Sequence, residues 1–259
     1  MLIAFASAKG SPGVTTTVNV LGDVWPADVM VADLDPAGGD LALRHRDPQG
    51  EPLDPERGLL SLAAAARRGV AQSELEYHVQ RIDGGLDIVA GVARPEQVTG
   101  IGPVWPALAH SLRGAGVDVL ADCGRVTPGT PVMPVMAAAD AVVFVVRPSV
   151  ESYAHLRERL HWLSDPLQIG QRGSIPVGVV VVTSPSDSSA ARDLDRLLQY
   201  AGLQVSVLGR IAEDPKAVRA LTGQASKRLD RSLLVRSARQ VATSVRSMAS
   251  GRSAAAAGR

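Results

Sequence analysis

Cysteine occurs once, at Cys123, so this chain closes no disulfide within itself and builds no zinc site from several thiolates. That scarcity suits a reducing cytosol. Aromatic residues make up only 3% of the sequence against 46% hydrophobic residues in all, so the core has to be assembled from Val, Leu, Ile and Ala. Lysine appears at Lys9, Lys216 and Lys227 alone, and arginine carries the rest of the positive charge. No run approaches the roughly 18 to 20 apolar residues of a membrane span. The apolar stretch Met1 to Ala8 lacks a basic leader and is too short for a signal peptide, so it reads as a first buried strand. His45, His78, His110, His155 and His161 show no i, i+4 pairing, which favours solvated or core roles over metal binding.

What is present is alternation. Short β-branched runs trade places with longer amphipathic ones along all 259 residues, the pattern of βαβ units around a parallel sheet. Seven strands are expected: Leu2 to Ser7, Val29 to Asp33, Leu86 to Ala90, Val117 to Asp122, Ala141 to Arg147, Val177 to Thr183 and Val205 to Ile211. Most are continuously apolar, as in strands covered on both faces. The expected fold is therefore α/β, a single doubly wound and mostly parallel sheet with helices on both sides. Helices are expected over Val150 to Leu163, with Ser149 as N-cap, and over Ser188 to Ala201, with Gly202 where a C-cap glycine belongs. Residues 44 to 57, rich in Pro, Gly and charge, read as the least ordered insert.

The C-terminal segment differs in charge. Residues 226 to 259 hold eight basic residues and one acidic, while the rest of the chain is net negative. Leu234, Ala238, Val241, Val245 and Met248 step by four and three, so a helix here has one apolar and one basic face. Docking of that helix on the domain is the favoured reading, with membrane-surface or nucleic-acid contact by its basic side as the alternative. A domain over 1 to 249 and a flexible basic, Ala-rich tail over 250 to 259 follow.

Chemistry concentrates in "SAKGSPGVTTT", Ser7 to Thr17. Its frame is that of a phosphate-binding loop, G-x-x-x-x-G-K-[ST], set between an apolar strand and a helix expected over Thr15 to Leu21. A helix start offers unpaired N-H groups and the positive end of a dipole to an anion. Two parts are missing. Val14 stands where the loop wants lysine, forgoing a charge-assisted contact of roughly 1.5 to 3 kcal/mol, and Pro12 has no N-H to donate. Arg125 and Arg147, at or just beyond strand ends, are candidate replacement cations. Cys123 reads as a small buried residue, with no histidine near it in the motif to make it a nucleophile.

Lys9 to Thr16, K-G-S-P-G-V-T-T, resembles the deviant Walker A loop K-G-G-x-G-K-[ST]-[ST] of the ParA and MinD superfamily of positioning ATPases. The likeness extends over nearly the whole chain: "VMVADLDPAGGDLAL" resembles the stretch after the family's second strand, "VDVLADCG" its Walker B strand, and "VLGRIAEDPKAVRAL" its segment near the nucleotide base. The resemblance implies ATP and Mg2+ as cofactors. It implies that Gly10, Ser11, Gly13, Val14, Thr15 and Thr16 line the nucleotide. It further implies that Thr15, Asp33 and Asp122 serve the metal, that Asp35 orients the attacking water, and that Lys9 reaches the nucleotide of a partner subunit. A nucleotide-dependent homodimer is implied, docking a protein partner, DNA or a membrane, in the cytoplasm or peripherally at the inner membrane. With Val14 in place of lysine, the expectation is a dimeric spatial scaffold with weak or absent ATPase activity, similar to the pilus-assembly branch of TadZ and CpaE. The alternative is an active ATPase of chromosome or plasmid partition or of division-site placement.

Overall fold

The computed structural model describes residues 1–71, 73–171, 173–221 and 229–257. Among them eight strands form one sheet: β1 (Leu2–Ser7), β2 (Val29–Asp33), β3 (Gln80–Arg81), β4 (Asp87–Val89), β5 (Asp118–Arg125), β6 (Ala141–Val146), β7 (Val177–Thr183) and β8 (Ser206–Ala212). Their order is β3-β4-β2-β5-β1-β6-β7-β8, and every neighbouring pair is parallel except the antiparallel β3 and β4. The seven expected strands are all present, three with the expected ends and four with an end shifted by one to three residues. The eighth, β3, is only two residues long and sits on the edge, too short to leave a period in the sequence.

Ten helices flank the sheet among the described residues: α1 (Val14–Asp23), α2 (Leu41–Arg44), α3 (Leu59–Arg67), α4 (Glu96–Ile101), α5 (Trp105–Arg113), α6 (Met133–Ala138), α7 (Val150–Leu163), α8 (Ala190–Tyr200), α9 (Pro215–Leu221) and α10 (Leu233–Ala257). Strand parity splits the core into two layers. Leu2, Ala4 and Ala6 of β1 join Met30, Ala32, Val119 and Ala121 beneath α3, α5, α6, α7 and α8. Ile3 and Phe5 face the other way and meet Val31, Leu120, Val18 of α1 and Val241 and Val245 of α10.

Local signals hold where expected. Ser149 caps α7 by accepting the Ser152 N-H at 3.2 Å. Gly202, at φ 70°, closes α8 in a Schellman turn, its N-H donating to the Gln199 carbonyl and that of Leu203 to Leu198. The docking reading of the last helix also holds: Leu234, Ala238, Val241 and Val245 are buried and Met248 packs at the margin. On its polar side Arg239 pairs with Asp230 at 3.0 Å and Arg246 with Asp118 at 3.0 Å. Lys227, Arg228 and Arg259 of the basic segment lie outside the described residues. α10 runs to Ala257, beyond position 250 where a tail was expected, because the alanines there propagate a helix already nucleated. Residues 44 to 57 are more organised than their composition suggests. An Arg46–Pro52 bridge closes them, and Asp47 accepts the N-H groups of Gln49 and Glu51 at 2.9 and 2.8 Å. No helix among the described residues is long and apolar enough to cross a membrane.

Candidate functional site

The expected loop runs from the end of β1 into α1, which begins at Val14 rather than Thr15. Gly13 at φ 102° turns the chain into the helix, a conformation that disfavours any side chain, and its carbonyl accepts the first intrahelical bond from Thr17 N-H at 2.8 Å. A side chain added at Gly10 would meet nothing within 4 Å, and one at Gly13 only Thr16 Cβ at 4.0 Å, so the space over the loop is open. Lys9, Gly10 and Ser11 are exposed, Thr15 and Thr16 half-buried. Val14 takes the opposite course: it is 6% exposed and belongs to the apolar layer with Phe5 and Val18. Hydrophobic burial thus holds the side chain that a phosphate loop would normally aim at its ligand.

Beside the loop, parity and register bring two aspartates together. Asp33 ends β2, Asp122 lies in β5, and the two are direct partners across the parallel ladder. Both fall on the face that carries α1. Asp122 is fully buried: its Oδ1 accepts Gly124 N-H at 2.9 Å, the Thr15 hydroxyl lies beside the carboxylate, and its Oδ2 has no partner. Burial, and then the facing Asp33, push its carboxyl up to about 7. Asp33 is 1% exposed, accepts Leu41 N-H on Oδ2 at 3.1 Å, and is pushed up to about 6, mainly by burial. Glycines make room for it, since a Cβ at Gly39 would lie 2.8 Å from Asp33 Oδ2 and one at Gly91 2.9 Å from Cγ.

Asp35 stands two residues beyond β2. Its Oδ1 accepts Ala37 N-H at 2.8 Å and its carboxylate rests on Gly124, where a Cβ would fall 2.2 Å from Cγ. Burial raises its carboxyl above the ordinary range, with nearby Arg125 opposing. A cleft of about 410 Å3 opens on the other side of the loop, lined among others by Gly13, Thr16, Arg147, Glu213, Pro215 and Leu234. Its volume is that of a small-molecule site. It joins the loop to the segment expected at the base-binding end, and Arg147 reaches its wall in an ion pair with Glu213.

The structure therefore collects Gly13, Val14, Thr15, Thr16, Asp33, Asp35 and Asp122 at the carboxyl edge of the sheet, next to β1. There the strand order reverses, the place where open α/β sheets take ligands. Lys9 stands at the rim. Among the described residues no three His, Cys, Asp or Glu side chains group as a metal cage. Magnesium in a phosphate loop relies on a hydroxyl, phosphate oxygens and water instead, and Thr15 beside an orphaned, buried Asp122 oxygen fits that donor set. Cys123 is fully buried, and burial with the Asp122 charge pushes its thiol well above the usual value. His45 and His78 are core residues bonded to Asn19 Nδ2 at 3.0 Å and Ser61 Oγ at 2.8 Å. Sequence reasoning missed Arg44, whose Nη1 donates to Thr16 Oγ1 at 3.3 Å while Nη2 pairs with Asp40. Its only signal is the i, i+4 spacing from Asp40.

No protein-family model matches the chain, and no curated protein sequence does so significantly. Solved structures do. A ParA family ATPase from Chlorobium tepidum TLS superposes with a TM-score of 0.72 at 20% identity, over 93% of this chain and 98% of that one. The septum site-determining protein MinD from Pyrococcus horikoshii OT3, complexed with Mg-ADP, gives 0.68 at 20%, over 97% and 98%. A putative plasmid partition protein from Borrelia burgdorferi B31, bound to AMPPNP, gives 0.69 at 12%, over 95% and 98%. The fold is that of the ParA and MinD ATPases.

Proposed function

We propose that the chain belongs with the ParA and MinD proteins and is a nucleotide-dependent positioning protein, a dimeric scaffold that binds ATP with Mg2+ and turns it over slowly or not at all. One observation carries this reading: the loop is open over Gly10 and Gly13 beside an unneutralised carboxylate pair, yet Val14 is committed to the core. Shape for a nucleotide is kept while the cation of the loop is absent. The N-H groups at the start of α1 would hold phosphate, Thr15 and Asp122 the metal, with Asp33 behind them, and the cleft beside Thr16 the nucleoside. A bound Mg2+ would supply positive charge to the phosphates. Lys9, exposed at the rim, would extend to the nucleotide of a second copy. The altered loop, together with the strand end Asp122 to Arg125, supports a role near the pilus and secretion scaffolds, in the cytoplasm or at the inner face of the membrane.

Calorimetry with MgATP, combined with light scattering of the full chain, tests this reading. Binding that converts monomer to dimer, and loses that conversion in Lys9→Ala, is the expected result. Absence of binding by the wild type would sink it.

An active ATPase of partition or division-site placement is the second reading. Its support is Asp35, a carboxylate beside the loop that burial raises above its ordinary value. Phosphate release that disappears in Asp35→Asn would favour it, and release at background in the wild type would dismiss it.

A further inference from the structure

The described residues around the loop are rich in carboxylates, Asp33, Asp35, Asp40 and Asp122, and a phosphate chain would add more negative charge. Lys9 lies outside at the rim, Arg125 lies on the Asp35 side, and Arg147 is engaged by Glu213 across the cleft. Arg44 is different, because it is bonded to the first turn of α1 itself, at the hydroxyl two residues after Val14.

Its placement is built at three points. Leu41, 1% exposed, anchors the start of α2 in the core and donates its N-H to Asp33. His45, just past the end of α2, meets Asn19 one turn along α1 from Thr16. Burial, and then the charge of Arg44, lower the His45 pKa, so its ring is neutral and adds no second cation. Between these anchors the Arg44 side chain lies against the first turn of α1, its Nη1 donating to Thr16 Oγ1. Its bonds to Thr16 and Asp40 use two of the five guanidinium donors. The planar fork leaves donors in an arrangement that suits phosphate.

We propose that Arg44 takes the place of the lysine missing from position 14, its guanidinium giving the nucleotide phosphates their positive partner from the side of α1 instead of from the loop. The inference rests on the nucleotide-binding reading. Asp40 is the counter-ion that holds Arg44 in place until phosphate competes for it.

The test is calorimetry with MgATP and MgADP on the full-length wild type, Arg44→Gln, Arg44→Lys, and Arg68→Gln as a control for net charge. Arg68 pairs with Glu74, away from the loop. Losing one charge-assisted contact should weaken both nucleotides roughly 10- to 100-fold in Arg44→Gln. Arg44→Lys should keep part of the affinity and Arg68→Gln all of it. Partial affinity in Arg44→Lys, with melting temperatures of the three variants unchanged, separates a lost charge from a damaged fold. Wild-type affinity in Arg44→Gln, or a loss of the same size in Arg68→Gln, would overturn the assignment of Arg44 and leave the nucleotide reading standing. Absence of nucleotide binding by the wild type would remove both.

Discussion

The face-to-face carboxylates of Asp33 and Asp122 make a stability prediction that can be worked through. Without a cation between them, two buried acids share one strand ladder, and one oxygen of Asp122 has no donor. An acid whose pKa is raised on folding favours the protonated folded state, so its penalty is absent below the unfolded value. The penalty grows as pH climbs from about 4 and is complete above the folded value. For Asp122, raised from 3.8 to about 7, the window runs from about pH 4 to pH 7. At about 1.4 kcal/mol per pH unit the full penalty is on the order of 4 kcal/mol, part of which is repulsion shared with Asp33. Asp122→Asn removes the charge, keeps an acceptor for Gly124 N-H, and replaces the orphaned oxygen with an amide that can donate to Asp33. The variant should therefore be more stable than wild type at pH 8 by about 2 to 4 kcal/mol, and nearly equal to it at about pH 3.5. Urea denaturation in magnesium-free buffer at several pH values measures this. A variant less stable than wild type at pH 8, or one with an unchanged pH slope, would refute the electrostatic account of the pair.

Gly124→Ala should displace the Asp35 carboxylate, because the new Cβ would land 2.2 Å from Cγ and the φ of 59° disfavours a side chain as well. Any phosphate release should fall to background while nucleotide binding changes less than threefold, by calorimetry. Ala238→Asp puts a charge into the fully buried face of α10 and should cost about 3 kcal/mol or more, read as a loss of melting temperature; a neutral effect would mean that the helix is not docked. The exposed basic side of α10 already gives Arg239 to Asp230 and Arg246 to Asp118. Duplex DNA should accordingly bind weakly, with a shallow salt dependence by fluorescence anisotropy, and a steep slope would restore a nucleic-acid role for this face.

Much of this protein was legible in the sequence because the relevant signals are local. Continuous β-branched runs marked the seven longer strands, and the steps of four and three in Leu234 to Met248 predicted which face of α10 is buried. The strand-loop-helix context of Ser7 to Thr17 fixed where the phosphate loop would stand. Period and spacing are properties of a few neighbouring residues, so they survive without knowledge of what lies across the core. Other features depended on which strands became neighbours. Only the insertion of β5 between β1 and β2 sets Asp122 against Asp33, and only packing of α2 beside α1 takes Arg44 to Thr16. The two-residue β3 exists because β4 offers it an edge. Even the missing lysine changed meaning in three dimensions, since burial of Val14 in the apolar layer turned a gap in a motif into a core residue. The sequence by itself determined the elements and their faces, while the free energy of long-range packing decided which charges meet.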